Sequence, residues 1–136
     1  MKRLLPLICL CILLAGCSAP RNQAQENEQD QYRLVFEAQL LCNDTVGNNW
    51  FVTYTYNGQK IYSGYKITVP AQESAFAILG VEVREDDKID DVAYATLSVR
   101  LSKDESDSIN LTVTEKHGRY KNNTATWKIA CSVVKA

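Results

Sequence analysis

The residues with the clearest potential for chemistry form an acidic segment at positions 82–91. Carboxylate oxygens are the ligands that a hard ion such as Ca²⁺ prefers in proteins. The segment offers five candidate calcium ligands, which are Glu85, Asp86, Asp87, Asp90 and Asp91. A solvated acidic turn between two strands is the simpler interpretation of the same residues. We therefore expect no obligatory cofactor and leave calcium binding open.

His117 is the only histidine of the chain, and it lies among basic and small polar residues at positions 116–123. A catalytic histidine needs a nucleophile and an orienting partner. No nucleophile motif accompanies His117, and the segment is typical of a solvated turn. The sequence therefore predicts a protein that is not an enzyme.

The N-terminus is typical of an export signal. Lys2 and Arg3 precede a largely apolar run at positions 4–15. A basic start followed by such a run is a secretory signal, and it is too short to span a bilayer as a helix. The mature protein is therefore expected outside the cytoplasm.

The run closes with Leu14, Ala15, Gly16 and Cys17. These four residues resemble the lipobox of bacterial lipoproteins. The resemblance implies cleavage before Cys17 and attachment of lipid, including acyl chains such as palmitate, to that cysteine. Two or three acyl chains make a durable membrane anchor. In a diderm host, the resemblance also implies sorting to the outer membrane, because Ser18 follows the cysteine. The alternative is an ordinary signal peptide that happens to end in a cysteine.

The mature chain is expected to consist of a tether and one domain. Without Lys2 and Arg3 it has 13 basic and 16 acidic residues, a net charge of −3. This charge gives no reason to expect nucleic acid as a partner. Residues 18–30 contain no large apolar side chain, as in flexible segments. We predict a signal peptide at 1–16, a lipidated cysteine and tether at 17–31, and a folded domain at 32–136.

The folded part alternates apolar and polar residues with a period of two, which is typical of half-buried strands. Asn57-Gly58 is a strong signal for a tight hairpin turn. That turn pairs Tyr54 with Ile61 and Trp50 with Tyr65. Strands are predicted at 32–42, 50–56, 60–69, 75–83, 92–101, 109–114 and 124–134. About seven short strands indicate an all-β fold, an antiparallel β-sandwich of the C2-like or Ig-like kind or, alternatively, a small barrel.

Two cysteines remain in the predicted domain. Cys42 and Cys131 fall on the apolar phases of the first and last predicted strands. In an oxidising compartment, two such thiols predict a disulfide. The bridge would contribute about 4 kcal/mol in the chain-entropy model. Two buried free thiols packed as small hydrophobic groups are the alternative.

The acidic segment with the strand that follows it resembles, loosely, the third loop of C2 domains, in which spaced aspartates bind calcium. The resemblance implies a calcium-dependent module. The paired Asp-x-Asp register of that family is not reproduced here. In an antiparallel domain, alternate loops lie at the same end. With seven strands, residues 84–91 are therefore expected at the same end as residues 116–122 and the tether, and residues 43–49 at the opposite end.

Three functions are therefore considered. The first is a non-enzymatic module of the cell envelope, anchored to the membrane by lipid, that binds an unknown protein or glycan. The second is a calcium-dependent C2-like module. The third is a periplasmic inhibitor of a hydrolase such as lysozyme, which rests on analogy between folds alone.

Overall fold

The fold is an all-β sandwich of two antiparallel sheets, described for residues 28–71 and 74–136 by a computed structural model. The predicted signal peptide and Cys17 lie outside the described residues. No helix within those two ranges is long and apolar enough to cross a membrane. The eight strands are β1 (Gln29–Asn43), β2 (Trp50–Tyr56), β3 (Gln59–Ile61), β4 (Tyr65–Pro70), β5 (Phe76–Glu85), β6 (Asp91–Arg100), β7 (Ser106–Thr114) and β8 (Thr124–Lys135).

Each sheet has four strands. Sheet A has the order β4-β1-β8-β7, and sheet B has the order β3-β2-β5-β6. Because β1 begins at Gln29, the domain starts slightly earlier than predicted, and residues 29–31 belong to the sheet rather than to the tether. The predicted antiparallel β-sandwich is confirmed.

The core lies between the two sheets and is built from the alternate residues that the sequence pattern indicated. Leu34 in β1, Leu79 in β5 and Ile129 in β8 are fully buried. Phe36 stacks on Tyr54 across the sandwich, with ring centroids 4.1 Å apart. Burial of these side chains is the main stabilising contribution to such a fold.

The predicted hairpin turn is present. Asn57 and Gly58 both have positive φ, 50° and 76°, as a type I′ turn requires. Tyr54 pairs with Ile61 in the predicted register. The local pattern of this hairpin was sufficient to predict its turn and its first pairs.

The second half of the hairpin differs from the prediction. Residues 62–64 form a turn in which Gly64 has a φ of 91°, a conformation that favours glycine. The chain crosses there from sheet B to sheet A, and Tyr65 pairs with Leu34 instead of with Trp50. One predicted strand is therefore two, and the sandwich has eight strands instead of seven.

The predicted disulfide between Cys42 and Cys131 is wrong. Both are free cysteines, with Cys42 exposed and Cys131 buried. A β-bulge between Leu40 and Cys42 interrupts the register, and an extra residue of this kind reverses the alternation of side chains. Cys131 is opposite Phe36, which places it about 20 Å from Cys42 along the strand. A disulfide needs Cα atoms within about 7 Å of each other.

Backbone hydrogen bonds join three loops at one end of the sandwich. Asp44 N–H donates to the Thr124 carbonyl at 2.9 Å, and Asp86 N–H donates to the Asn49 carbonyl at 2.8 Å. We call this the distal end, because the chain enters β1 at the opposite end. Its loops are residues 44–49, 86–90 and 115–123.

The prediction for the loop ends is partly confirmed. Residues 84–91 and 116–122 do share an end, but the tether joins the opposite end and residues 43–49 join the distal end. The physical reason is the extra crossing at residues 62–64, which reverses the direction of every later strand.

Candidate functional site

Three carboxylates lie buried at the distal end. Glu85 ends β5 and pairs with Asp91, which begins β6. Glu115 follows β7, and all three side chains are buried. Buried acidic side chains are rare unless a positive group compensates them. Among the described residues, no salt bridge involves any of the three, so the cluster lacks a cationic partner.

Backbone N–H groups supply part of the missing compensation. Lys116 N–H donates to Asp91 Oδ1 at 3.0 Å, and His117 N–H donates to Glu115 Oε1 at 3.4 Å. Two buried oxygens, Glu85 Oε2 and Asp91 Oδ2, have no hydrogen-bond partner among the described residues. An unsatisfied buried acceptor is energetically costly, so this end of the sandwich is electrostatically strained.

Glu85 lies against the loop that connects β1 and β2. A Cβ atom added at Gly47 would overlap Glu85 Oε1. Gly47 also has a φ of 147°, so the position favours glycine on both grounds. The backbone of Asn49 and Asn48 partly offsets the rise in the pKa of Glu85. The loop therefore lies close against this carboxylate.

The surroundings shift the pKa of two of these groups. Burial is the main cause that raises the pKa of Glu85, and the charges of Asp87 and Glu115 raise it further. Burial also raises the pKa of Glu115, with Asp91 as the next cause. Both shifts favour the protonated form, because a carboxylate removed from water is penalised.

The other predicted calcium ligands are exposed and engaged locally. Asp90 accepts a hydrogen bond from Arg84 at 3.4 Å, and Asp87 Oδ1 accepts one from Ile89 N–H at 2.7 Å. Asp86 Oδ2 is 3.5 Å from Asn49 Nδ2.

Of the five candidates, the structure therefore brings only Glu85 and Asp91 together. Glu115 was missed by the sequence analysis. Within residues 28–71 and 74–136, no three His, Cys, Asp or Glu side chains are arranged to hold a metal ion. His117, close to this cluster in sequence, has an exposed side chain.

A second feature is a hollow of about 300 Å³ on the outer face of sheet B. Its floor is β5, where Gly80 pairs with Thr55 of β2. In the next row, Glu82 lies between Thr53 of β2 and Tyr94 of β6. A Cβ atom at Gly80 would overlap Thr55 Oγ1. The Thr55 hydroxyl packs over Gly80, and such a close approach is a known reason for glycine inside a strand.

Exposed apolar and aromatic side chains surround this hollow. Tyr94 is 71% exposed, Ile78 62%, Phe76 56% and Phe51 45%. They lie on the outward phase of three neighbouring strands, β2, β5 and β6. Apolar groups gathered on one face mark an interaction surface more often than apolar groups scattered singly. We call this surface the sheet B face.

Comparison with known proteins identifies no relative of this chain. No family model, no curated protein and no solved structure matches this chain. The function must therefore be argued from the residues themselves.

Proposed function

We propose that the chain is a lipid-anchored lipoprotein of the bacterial cell envelope, with a domain that works as a non-enzymatic binding module through the sheet B face. The observation that carries this proposal is the hollow above Gly80, lined by Thr53, Glu82 and Tyr94. A concave surface with apolar walls and a few polar groups is the usual form of a ligand site.

The proposed anchor suits a face that is open to a ligand. Lipid on Cys17 would attach the chain at the end where it enters β1. The intervening residues would have a root-mean-square reach of about 20 Å if flexible. The strands of sheet B would then be free to turn relative to the membrane, and the sheet B face would stay accessible to ligands in the envelope.

The proposal is tested by capture of envelope components. Full-length protein in detergent micelles is immobilised, incubated with solubilised envelope and analysed by mass spectrometry for proteins and glycans. Tyr94→Ala is compared with Lys128→Ala, which alters an exposed side chain on the outer face of sheet A. We expect a component that wild type and Lys128→Ala retain and Tyr94→Ala loses. Equal retention by all three proteins, or none by any, would contradict a ligand site on this face.

Cation binding at the distal end is a second candidate function. It is favoured by Glu85 Oε2 and Asp91 Oδ2, which are buried and lack a partner. Because the described residues offer no convergent set of three side chains, such an ion would need backbone carbonyls and water as further ligands, as Ca²⁺ accepts.

Calorimetry with calcium chloride tests this candidate. We expect heat of binding and a higher Tm for wild type, loss of both for Glu85→Gln, and no change for Asp90→Asn at the exposed loop. Absence of heat together with an unchanged Tm would exclude the site.

A further inference from the structure

We infer that the hollow on the sheet B face takes the ring of a neutral sugar. This inference rests on the proposed function and assigns a chemical class to its ligand. It is argued from three properties of the site, which are an exposed aromatic ring, a floor strand with a glycine, and a local excess of negative charge.

Tyr94 provides the aromatic surface. Its side chain is 71% exposed on a strand whose inward residues Leu97 and Val99 are buried. An exposed aromatic ring offers a flat apolar face with a polar end. One face of a sugar ring carries mainly C–H groups and stacks on such a surface, while its hydroxyls remain available at the edge.

The floor of the hollow allows a ring to approach the sheet. Gly80 has no side chain there, and Thr55 and Thr53 line the β2 side with hydroxyl groups. Hydroxyls both donate and accept hydrogen bonds, so they match the hydroxyls of a sugar. Glu82 lies in the same hollow and can accept two hydrogen bonds from neighbouring sugar hydroxyls.

The charges favour a neutral sugar over an acidic one. Glu82 would repel a carboxylate or phosphate on the ligand. Arg84 lies beside Glu82, with its Nε 3.8 Å from Glu82 Oε1 and its Nη1 3.4 Å from Asp90 Oδ2. Its guanidinium also lies over the Phe51 ring, 5.6 Å from the centroid. Arg84 is thus shared between two carboxylates, so Glu82, Arg84 and Asp90 together carry a net negative charge that disfavours an anionic ligand.

The exposed groups beyond the hollow extend the same surface. Phe51 lies one row from Glu82 towards the distal end, and Ile78 lies one row from Gly80 in the other direction. These side chains can contact the units that adjoin a bound sugar. The arrangement therefore fits an oligosaccharide that lies along β5 better than a single sugar.

The experiment uses full-length lipoprotein in micelles of a detergent without a sugar headgroup, titrated by NMR and calorimetry. The probes are neutral disaccharides of glucose, galactose, mannose and N-acetylglucosamine, with a disaccharide that contains glucuronic acid as the acidic probe of matched length. We expect a Kd of about 1 mM or tighter for at least one neutral probe, and at least a tenfold weaker interaction with glucuronic acid.

Matched variants separate the site from general effects. Tyr94→Ala should weaken neutral sugar binding at least tenfold. Tyr62→Ala, which removes a ring that is equally exposed at 70% but lies outside the hollow, should leave it unchanged. Glu82→Gln should reduce the discrimination against glucuronic acid. Circular dichroism and Tm verify that each variant is folded.

The outcomes distinguish this inference from the proposed function. Equal weakening by both tyrosine variants, or equal binding of acidic and neutral sugars, overturns the sugar assignment. If no sugar binds while Tyr94→Ala still loses a captured envelope protein, the binding face stands and the sugar assignment falls. If neither sugars nor envelope components depend on Tyr94, both fail.

Discussion

Glu85 and Asp91 are paired across β5 and β6, and each keeps one buried carboxylate oxygen without a hydrogen-bond partner in residues 28–71 and 74–136. Glu115 adds a third buried carboxylate next to them. No salt bridge compensates any of the three in the described part of the chain, and burial raises the pKa of Glu85 and of Glu115, so ionisation of these two groups opposes folding.

The first prediction concerns the pH dependence of stability. The pKa values of Glu85 and Glu115 are raised above 4.5 in the folded chain, so the folded state binds protons more tightly than the unfolded state. The free energy of unfolding should therefore fall as pH rises from about 4.5 towards neutral. Thermal melts should give a higher Tm at pH 5 than at pH 7.5, and the reverse order would contradict the prediction.

The second prediction concerns Glu115→Gln. The change removes one charge from the cluster and keeps an oxygen that can accept the hydrogen bond from His117 N–H. We expect stabilisation at pH 7, because burial penalises the charged form of Glu115, and urea denaturation measures it. Glu37→Gln, at an exposed position of β1, should change stability by less than about 0.5 kcal/mol. Destabilisation by Glu115→Gln would indicate that its charge is compensated.

The third prediction tests the core. Leu79 is fully buried between the sheets, and its neighbour Ile78 is 62% exposed. Leu79→Ala should cost about 2–5 kcal/mol in the free energy of unfolding, from lost burial and the cavity left behind. Ile78→Ala should cost less than about 1 kcal/mol in the same urea titration. Similar costs for the two would mean that β5 has its faces reversed.

The fourth prediction concerns the thiols. Cys42 is exposed and should react with maleimide in the native protein. Burial raises the pKa of Cys131 to about 11, so at pH 8 only about one molecule in a thousand carries the thiolate. Cys131 should react only after unfolding. Peptide mapping by mass spectrometry locates the label. If neither cysteine reacted with maleimide until a reductant was added, a disulfide between them would be indicated, contrary to the structure.

The fifth prediction tests the anchor. Cys17→Ser should move the protein from the membrane fraction to the soluble fraction and abolish incorporation of labelled palmitate. Cys42→Ser should change neither, because that thiol belongs to the folded domain. Membrane retention of Cys17→Ser would show that the lipobox resemblance is misleading.

Local sequence patterns were sufficient for most of the fold and insufficient at two points. The Asn57-Gly58 turn and the alternation in β5 to β8 are local properties, and they were predicted correctly. The crossing at residues 62–64 depends on which sheet the chain joins next, a non-local choice. Ser63 and Gly64 interrupt the strand pattern, and such a pair is a weak signal for a turn.

The β-bulge at Leu41 had a visible signal in the sequence. Leu40 and Leu41 are consecutive apolar residues that break the alternation of β1, and one extra residue moves all later side chains to the other face. Continuing the alternation through this break placed Cys42 inside the core and led to the incorrect disulfide.

The candidate sites depend on distant parts of the chain. Glu115 is brought to Asp91 by the contact between β6 and β7, which no local pattern predicts. Gly80 was a visible signal in the sequence, because a glycine inside the alternating strand β5 indicates a close approach to the backbone at that position. The exposed Phe76 and Ile78 on the opposite phase from the core were a further sign of a functional face.

The strand that begins the domain pairs along most of its length with the strand that ends it. Sheet A therefore cannot be completed until the last residues of β8 are present. Such long-range pairing slows folding, because a long loop must close before its contacts form. If the chain is exported as proposed, sheet A could be completed only after β8 had crossed the membrane, because β1 has no partner for most of its length until then.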